Sequence, residues 1–88
     1  MTFIEWFIDQ DDVSTYVLAL IIYLQHRQEQ NLDRPFTIST EEIAFDLHCS
    51  NFSVCKARKA LVGAGWIEYK RYGAEDKRKS LYSVKKEI

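Results

Sequence analysis

Apolar residues recur at helical spacing in the first half of this 88-residue chain. They fall three and four residues apart over positions 13–30, which predicts an amphipathic helix there. Asp11 and Asp12 are suited to its N-cap and first turn. The apolar face is broad and comprises Tyr16, Val17, Leu18, Leu20, Ile21, Ile22, Tyr23 and Leu24. A face of this width predicts a helix that is covered on more than one side.

Residues 39–64 carry the pattern of two short helices joined by a tight turn. Ser39 is a candidate N-cap for the first helix, and Glu42, three residues later, would complete a capping box. In the second helix, 51–64, the predicted inward stripe consists of Val54, Ala57, Leu61 and Ala64. Gly65 follows the stripe, at a position where helices often need a left-handed residue.

Strand patterns flank the helix pair. Residues 36–38 are predicted to form a short strand that can pair with a hairpin. The hairpin itself is predicted over 66–85, because residues 66–71 alternate between apolar and polar and 72–76 are rich in turn-forming residues. A strand alternates with period two, so one face should turn to the core. The side chains expected on that face are Ile67, Tyr69, Tyr82 and Val84.

The N-terminal segment, residues 1–12, is short and rich in aromatic residues. Thr2 and Glu5 match a second capping box. A helix this short and apolar needs a partner surface. Two interpretations stay open: the segment packs on its own domain, or it forms a dimer contact. The apolar side chains expected to pack inward are Phe3, Ile4, Trp6, Phe7 and Ile8.

Together these elements predict one domain over 1–88, of the α+β class and mainly helical. No apolar run approaches the roughly 20 residues that a membrane-spanning helix needs, and no signal peptide is visible. Cys49 and Cys55 are predicted to be free thiols in a reducing, cytoplasmic environment. With His48 they offer too few ligands for a zinc site, so no metal is expected. No cofactor or small-molecule ligand is evident from the sequence either.

Charge is divided unevenly along the chain, although the net charge is only −1. Residues 1–48 hold two basic and nine acidic residues, whereas residues 49–88 hold ten basic and four acidic residues. An asymmetry of this kind suggests a nucleic-acid surface on the basic half.

The stretch from Ser39 to Ile67 resembles the winged helix-turn-helix family. The residues that carry the resemblance are E-E-I-A-x-D-L at 41–47, S-N-F-S-V at 50–54 and A-L-V-x-A-G-W-I-E-Y-K at 60–70. The resemblance implies a three-helix core with a β-hairpin wing, in which helix 51–64 enters the major groove of double-stranded DNA. The pattern is also similar to small regulators and to the N-terminal domains of phage and plasmid replication initiators.

On this interpretation the outward face of helix 51–64 would contact DNA. Asn51 is the candidate for base recognition, because an amide can pair bidentately with adenine. Lys56 would contact a guanine or a phosphate. Ser50 and Ser53 would either bind phosphates or cap the helix. Arg58 lies beside the inward stripe and could extend outward. The full expected set is Ser50, Asn51, Ser53, Cys55, Lys56 and Lys59 on the helix, and Lys70, Arg71, Lys77, Arg78 and Lys79 on the wing.

Small DNA-binding modules gain affinity by binding two half-sites as a dimer. A homodimer is therefore expected through the N-terminal segment and the first helix. Its candidate contacts are Phe3, Trp6, Phe7, Tyr16 and Tyr23.

The leading hypothesis is a sequence-specific duplex-DNA-binding protein that regulates transcription in a phage, plasmid or other mobile element. The alternative is a winged-helix protein-interaction module, including a replication-complex adaptor, without direct DNA binding. An enzyme is not expected, since no Gly-rich phosphate loop, nucleophile elbow or His-x-x-x-His pair is present. Redox sensing by Cys55 would require an exposed thiol of low pKa.

Overall fold

The computed structural model describes residues 1–11, 13–71 and 79–85. Within these residues the chain has an α+β fold that is mainly helical, as the pattern predicts. The elements in order are α1 (Phe3–Ile8), α2 (Thr15–Gln30), β1 (Phe36–Ser39), α3 (Thr40–Asp46), α4 (Asn51–Gly63), β2 (Ile67–Arg71) and β3 (Lys79–Val84). None of the helices in these residues has the length and apolarity that crossing a membrane requires.

The three strands form one antiparallel sheet in the order β1-β3-β2. The predicted short strand therefore does pair with the hairpin, and β3 lies in the centre. Tyr82 of β3 is opposite Phe36 of β1 and Tyr69 of β2, and Val84 is opposite Ile67. Tyr82 and Ile67 are buried, and Tyr69 and Val84 are half-buried against the core. The predicted core-facing set is thus confirmed.

A single cluster of buried side chains joins the sheet to the helices. The centre of the cluster is fully enclosed: Ile21 and Leu24 of α2, Ile43 of α3, Leu61 of α4 and Tyr82 of β3 are each 0% exposed. The predicted stripe of α4 is confirmed in Val54, Ala57 and Leu61, which are all buried. Packing of α4 against this core leaves its opposite side in solvent.

The α1 helix packs onto its own domain, so the first of the two interpretations holds for its aromatic face. The Phe3 ring lies 5.2 Å from the ring of Trp66. Phe3 is only 1% exposed. It therefore offers no surface to a second copy, and its assignment as a dimer contact is corrected. Ile4 and Ile8 were expected to pack inward as well, but they are 49% and 74% exposed. A helix of six residues can bury only one side, and these two lie on the other.

One predicted helix start, at α2, and one predicted capping box, at α3, need correction. The α2 helix begins at Thr15 with Ser14 as the N-cap residue, two residues after the predicted start at Val13. Asp11 therefore precedes the helix, and Asp12 lies outside the described residues. At α3, Ser39 does cap, because its hydroxyl accepts from the backbone N–H of Glu42. The carboxylate of Glu42, however, is bonded to Arg27 at 2.6 Å rather than completing a box.

The remaining caps agree with the pattern. At α1, the Thr2 hydroxyl accepts from the Glu5 N–H while the Glu5 carboxylate accepts from the Thr2 N–H, which is the predicted capping box. Gly65 has φ of +79°, so the chain leaves α4 through the predicted left-handed residue.

Candidate nucleic-acid interface

The turn between α3 and α4 sets the direction of α4. It spans residues 47–50, and His48 adopts φ of +56°. The backbone N–H of Cys49 donates to the carbonyl of Ala44 at 3.0 Å, which closes the end of α3. Ser50 then caps α4 through a 3.1 Å bond from the Ser53 N–H. The Ser50 and Ser53 hydroxyls are 3.0 Å apart. Capping is therefore the observed role of Ser50, and Ser53 is half-buried beside it.

The α3 helix is held against α2 by a group of polar side chains. Arg27 of α2 lies 2.6 Å from the carboxylate of Glu42 and 3.3 Å from that of Asp46. The Tyr23 hydroxyl donates to Asp46 at 2.5 Å. This bond, followed by the Arg27 bond, holds the pKa of Asp46 below its usual value. Burial, with the Asp46 bond next, raises the pKa of Tyr23 to about 12, so the hydroxyl remains a donor at neutral pH.

Most of the predicted α4 residues share the solvent side of the helix. Asn51, Cys55, Lys56 and Lys59 are exposed. Sequence reasoning missed Phe52, which is 74% exposed on the same side. Phe52, Lys56 and Lys59 occupy positions i, i+4 and i+7, so they lie along one face. The spacing alone could have located Phe52, since it falls on the side opposite Val54.

Arg58 does not extend into solvent from α4. Its guanidinium donates to the hydroxyls of Tyr82 at 2.9 Å and Thr40 at 3.0 Å. It also stacks over the Tyr69 ring, 4.1 Å from the ring centroid. Although burial acts to lower the pKa of Arg58, the Tyr82 bond and the neighbouring side chains raise it. Arg58 therefore joins α4 to the sheet and to α3, and is not available for a DNA contact.

Cys55 lies next to Arg58 on α4. Its Sγ accepts from Arg58 Nη2 at 3.3 Å, and the thiol is free and exposed. A shallow groove of about 470 Å³ runs between α4 and β2 at this point. Its lining residues are Cys55, Arg58, Lys59, Val62, Gly63 and Tyr69.

The hairpin contributes three described cations to the candidate surface. Lys70, Arg71 and Lys79 are exposed. Arg71 is opposite Ser80, the residue after Lys79, so Arg71 and Lys79 lie at the same end of the sheet. The other two predicted wing contacts, Lys77 and Arg78, and the predicted tip at 72–76 lie outside the described residues.

Acidic side chains are absent from the sequence between Leu47 and Ile67, a stretch that contains the turn, α4 and the start of β2. The same stretch carries Lys56, Arg58 and Lys59. Acidic residues on either side are engaged elsewhere: Asp46 with Arg27, and Glu68 with Lys85 at 3.3 Å. The solvent face of α4 therefore carries two cations, Lys56 and Lys59, and no acid.

The proposed dimer residues do not form one exposed patch. Trp6 and Phe7 are half-buried against the core, and Tyr23 is occupied by Asp46 and Arg27. Tyr16, with 40% of its surface exposed, is the most accessible of the set.

Comparisons with protein-family models, with curated proteins and with solved structures each found no match.

Proposed function

We propose that this protein binds double-stranded DNA as a winged helix-turn-helix, with α4 in the major groove and the β2–β3 hairpin against the adjacent backbone or minor groove. The observation that carries the proposal is the solvent face of α4. It combines exposed Asn51, Lys56 and Lys59 with an absence of acids from Leu47 to Ile67. Phosphate contacts by lysine supply affinity, and an amide in the first turn supplies base recognition.

The internal role of Arg58 refines the proposed contact set. Since its guanidinium is bound to Tyr82 and Thr40, the DNA-facing cations of α4 are Lys56 and Lys59. On the hairpin, Lys70, Arg71 and Lys79 are exposed and supply further phosphate contacts. A small regulator of a phage, plasmid or other mobile element, acting as a homodimer, is the biological role that we propose for this chemistry.

The test is binding of the purified protein to random-sequence duplex DNA at a series of salt concentrations. Fluorescence anisotropy of labelled DNA measures the affinity at each concentration. We expect the logarithm of the affinity to fall linearly with the logarithm of salt concentration. Lys56→Ala and Lys59→Ala should each weaken binding and reduce the salt slope by about 1. Arg34→Ala, which removes an exposed cation from the α2–β1 connection, is the matched control and should leave the slope unchanged. A folded protein that fails to bind at about 50 mM salt would overturn the proposal.

A second candidate is a protein-interaction module that makes no DNA contact. The observation that favours it is the exposed apolar stripe of Ile4 and Ile8 on α1, which lies outside the basic surface. Large exposed apolar side chains often belong to protein interfaces. The same salt series separates the two candidates, because only the DNA-binding protein requires Lys56 and Lys59 for its affinity.

A further inference from the structure

Phe52 is an unusual residue for its position. It lies in the first turn of α4 and is 74% exposed, although a large apolar ring is ordinarily buried in the core. Helix α4 presents Val54, Ala57 and Leu61 to the core, and Phe52 is on the opposite side. An exposed aromatic ring in the midst of a polar surface is a common sign of a contact with a partner.

The neighbours of Phe52 indicate what that partner is. Lys56 lies one turn further along the same face, and Lys59 follows. Asn51 precedes Phe52 in the same first turn and is also exposed. A ring flanked by two ammonium groups and an amide, with no acid nearby in the sequence, matches a polyanion that also presents an apolar group.

Phe45 provides a contrast within the same molecule. It is 81% exposed at the end of α3. Its helix, however, carries three acids, Glu41, Glu42 and Asp46, and the last two share a single cation, Arg27, so the surface stays net negative. Phosphates would be repelled from that surface, so charge complementarity favours Phe52 over Phe45 as the aromatic residue that meets DNA.

The major groove offers one apolar group on its base edges, the C5-methyl group of thymine. A phenylalanine in the first turn of a helix that enters this groove has a natural partner in that methyl group. We propose that Phe52 is a specificity-determining residue that contacts the C5-methyl group of a thymine, so that the preferred site contains thymine beneath the N-terminus of α4. This inference rests on the proposed DNA-binding function and adds one base preference to it.

The experiment uses duplexes that the 88-residue protein selects from a random library. In the selected duplex, each thymine is replaced in turn by deoxyuridine, which removes the methyl group and keeps the hydrogen-bonding edge. We expect at least one replacement to weaken binding by about fourfold, the contribution of one buried methyl group. In Phe52→Ala the same replacement should have no effect, whereas Phe52→Leu should retain part of it.

Phe45→Ala is the matched control, since it also removes an exposed aromatic ring and should keep the full sensitivity to uracil. Circular dichroism verifies that each variant is folded. The inference is overturned if the wild-type protein binds thymine and uracil duplexes equally, or if Phe52→Ala keeps the wild-type sensitivity. Those results leave duplex binding intact, whereas a wild-type protein that binds no duplex would overturn the proposed function as well.

Discussion

Replacing Arg58 with methionine should strongly destabilise the fold. Methionine replaces the aliphatic stem of arginine with an unbranched apolar side chain, but it lacks the positive charge and all the hydrogen-bond donors. The change breaks the bonds to Tyr82 and Thr40 and the stacking on Tyr69. Tyr82 is 0% exposed, so its hydroxyl would lose a donor that solvent cannot readily replace.

The magnitude follows from these contacts. Each hydrogen bond from a charged donor contributes about 1.5 kcal/mol in net free energy, and a half-buried cation–π contact contributes about 1 kcal/mol. Removing the cost of burying the guanidinium offsets part of this sum. We therefore expect Arg58→Met to lower the free energy of unfolding by about 3 kcal/mol. A chain of this size has a stability of about 4–13 kcal/mol, so the loss is a large fraction of the total.

Urea denaturation followed by tryptophan fluorescence measures the change, because Trp66 is only 2% exposed and should report loss of the core. The midpoint of thermal unfolding should fall by about 12–24 °C. The matched control is Lys59→Met, which removes an exposed cation from the next position and should change stability by less than about 0.5 kcal/mol. If Arg58→Met also stays within about 0.5 kcal/mol of the wild type, the structural role assigned to Arg58 is wrong.

Three further predictions concern the residues around the helix pair. The pKa of Asp46 is lowered in the folded state, so its contribution to stability is present above its unfolded pKa and is lost as pH falls below about 4. Asp46→Asn should therefore reduce the free energy of unfolding at pH 7 and make it fall less steeply as pH is lowered below about 4. Gly63→Ala should raise the free energy of unfolding by about 0.5–1 kcal/mol, since an added Cβ meets no atom within 4 Å. His48→Gly should stabilise by about 1 kcal/mol, because His48 holds a left-handed conformation.

Two of these predictions have a control variant, and each has an outcome that would contradict it. For Asp46→Asn, the neutral variant Glu41→Gln tests a nearby exposed acid, and equal acid limbs in both variants and the wild type would contradict the assignment. For Gly63→Ala, a loss of stability would mean that the end of α4 is more crowded than described. For His48→Gly, Cys49→Gly is the comparison, and a similar gain there would show that backbone relief at His48 is not the cause.

Features that depend on neighbouring residues in the sequence were predictable. The Thr2–Glu5 box, the Ser39 cap and the left-handed Gly65 each follow from residues within one turn of a helix end. The core-facing side of the hairpin was also predictable, because the alternation of β2 and β3 puts Ile67, Tyr69, Tyr82 and Val84 on one face.

Features that depend on residues distant in the sequence were not predictable. Arg58 bonds to Thr40 and Tyr82, which are 18 and 24 positions away, and its own helix position offers no sign of either. The charge pattern likewise gave no indication that the Glu42 carboxylate would accept a hydrogen bond from Arg27 instead of completing the predicted capping box. The α2 start was misplaced because Asp11 and Asp12 are good capping residues in isolation, whereas Ser14 is the residue from which the packed helix begins.

The candidate site was predicted in part. The exposed positions of Asn51, Lys56 and Lys59 follow from the inward stripe of α4. Phe52 was missed because an aromatic residue is ordinarily assigned to a core, and only its angular position opposite Val54 argues otherwise.

The most direct test of the account is a titration of the isotope-labelled protein with duplex DNA. Two-dimensional NMR measures the change in each amide chemical shift as DNA is added. We expect the largest changes in the first two turns of α4, from Asn51 to Lys59, with further changes at Lys70, Arg71 and Lys79. Changes confined to α1 and the outer face of α2, with α4 unaffected, would contradict the proposal that α4 enters the major groove.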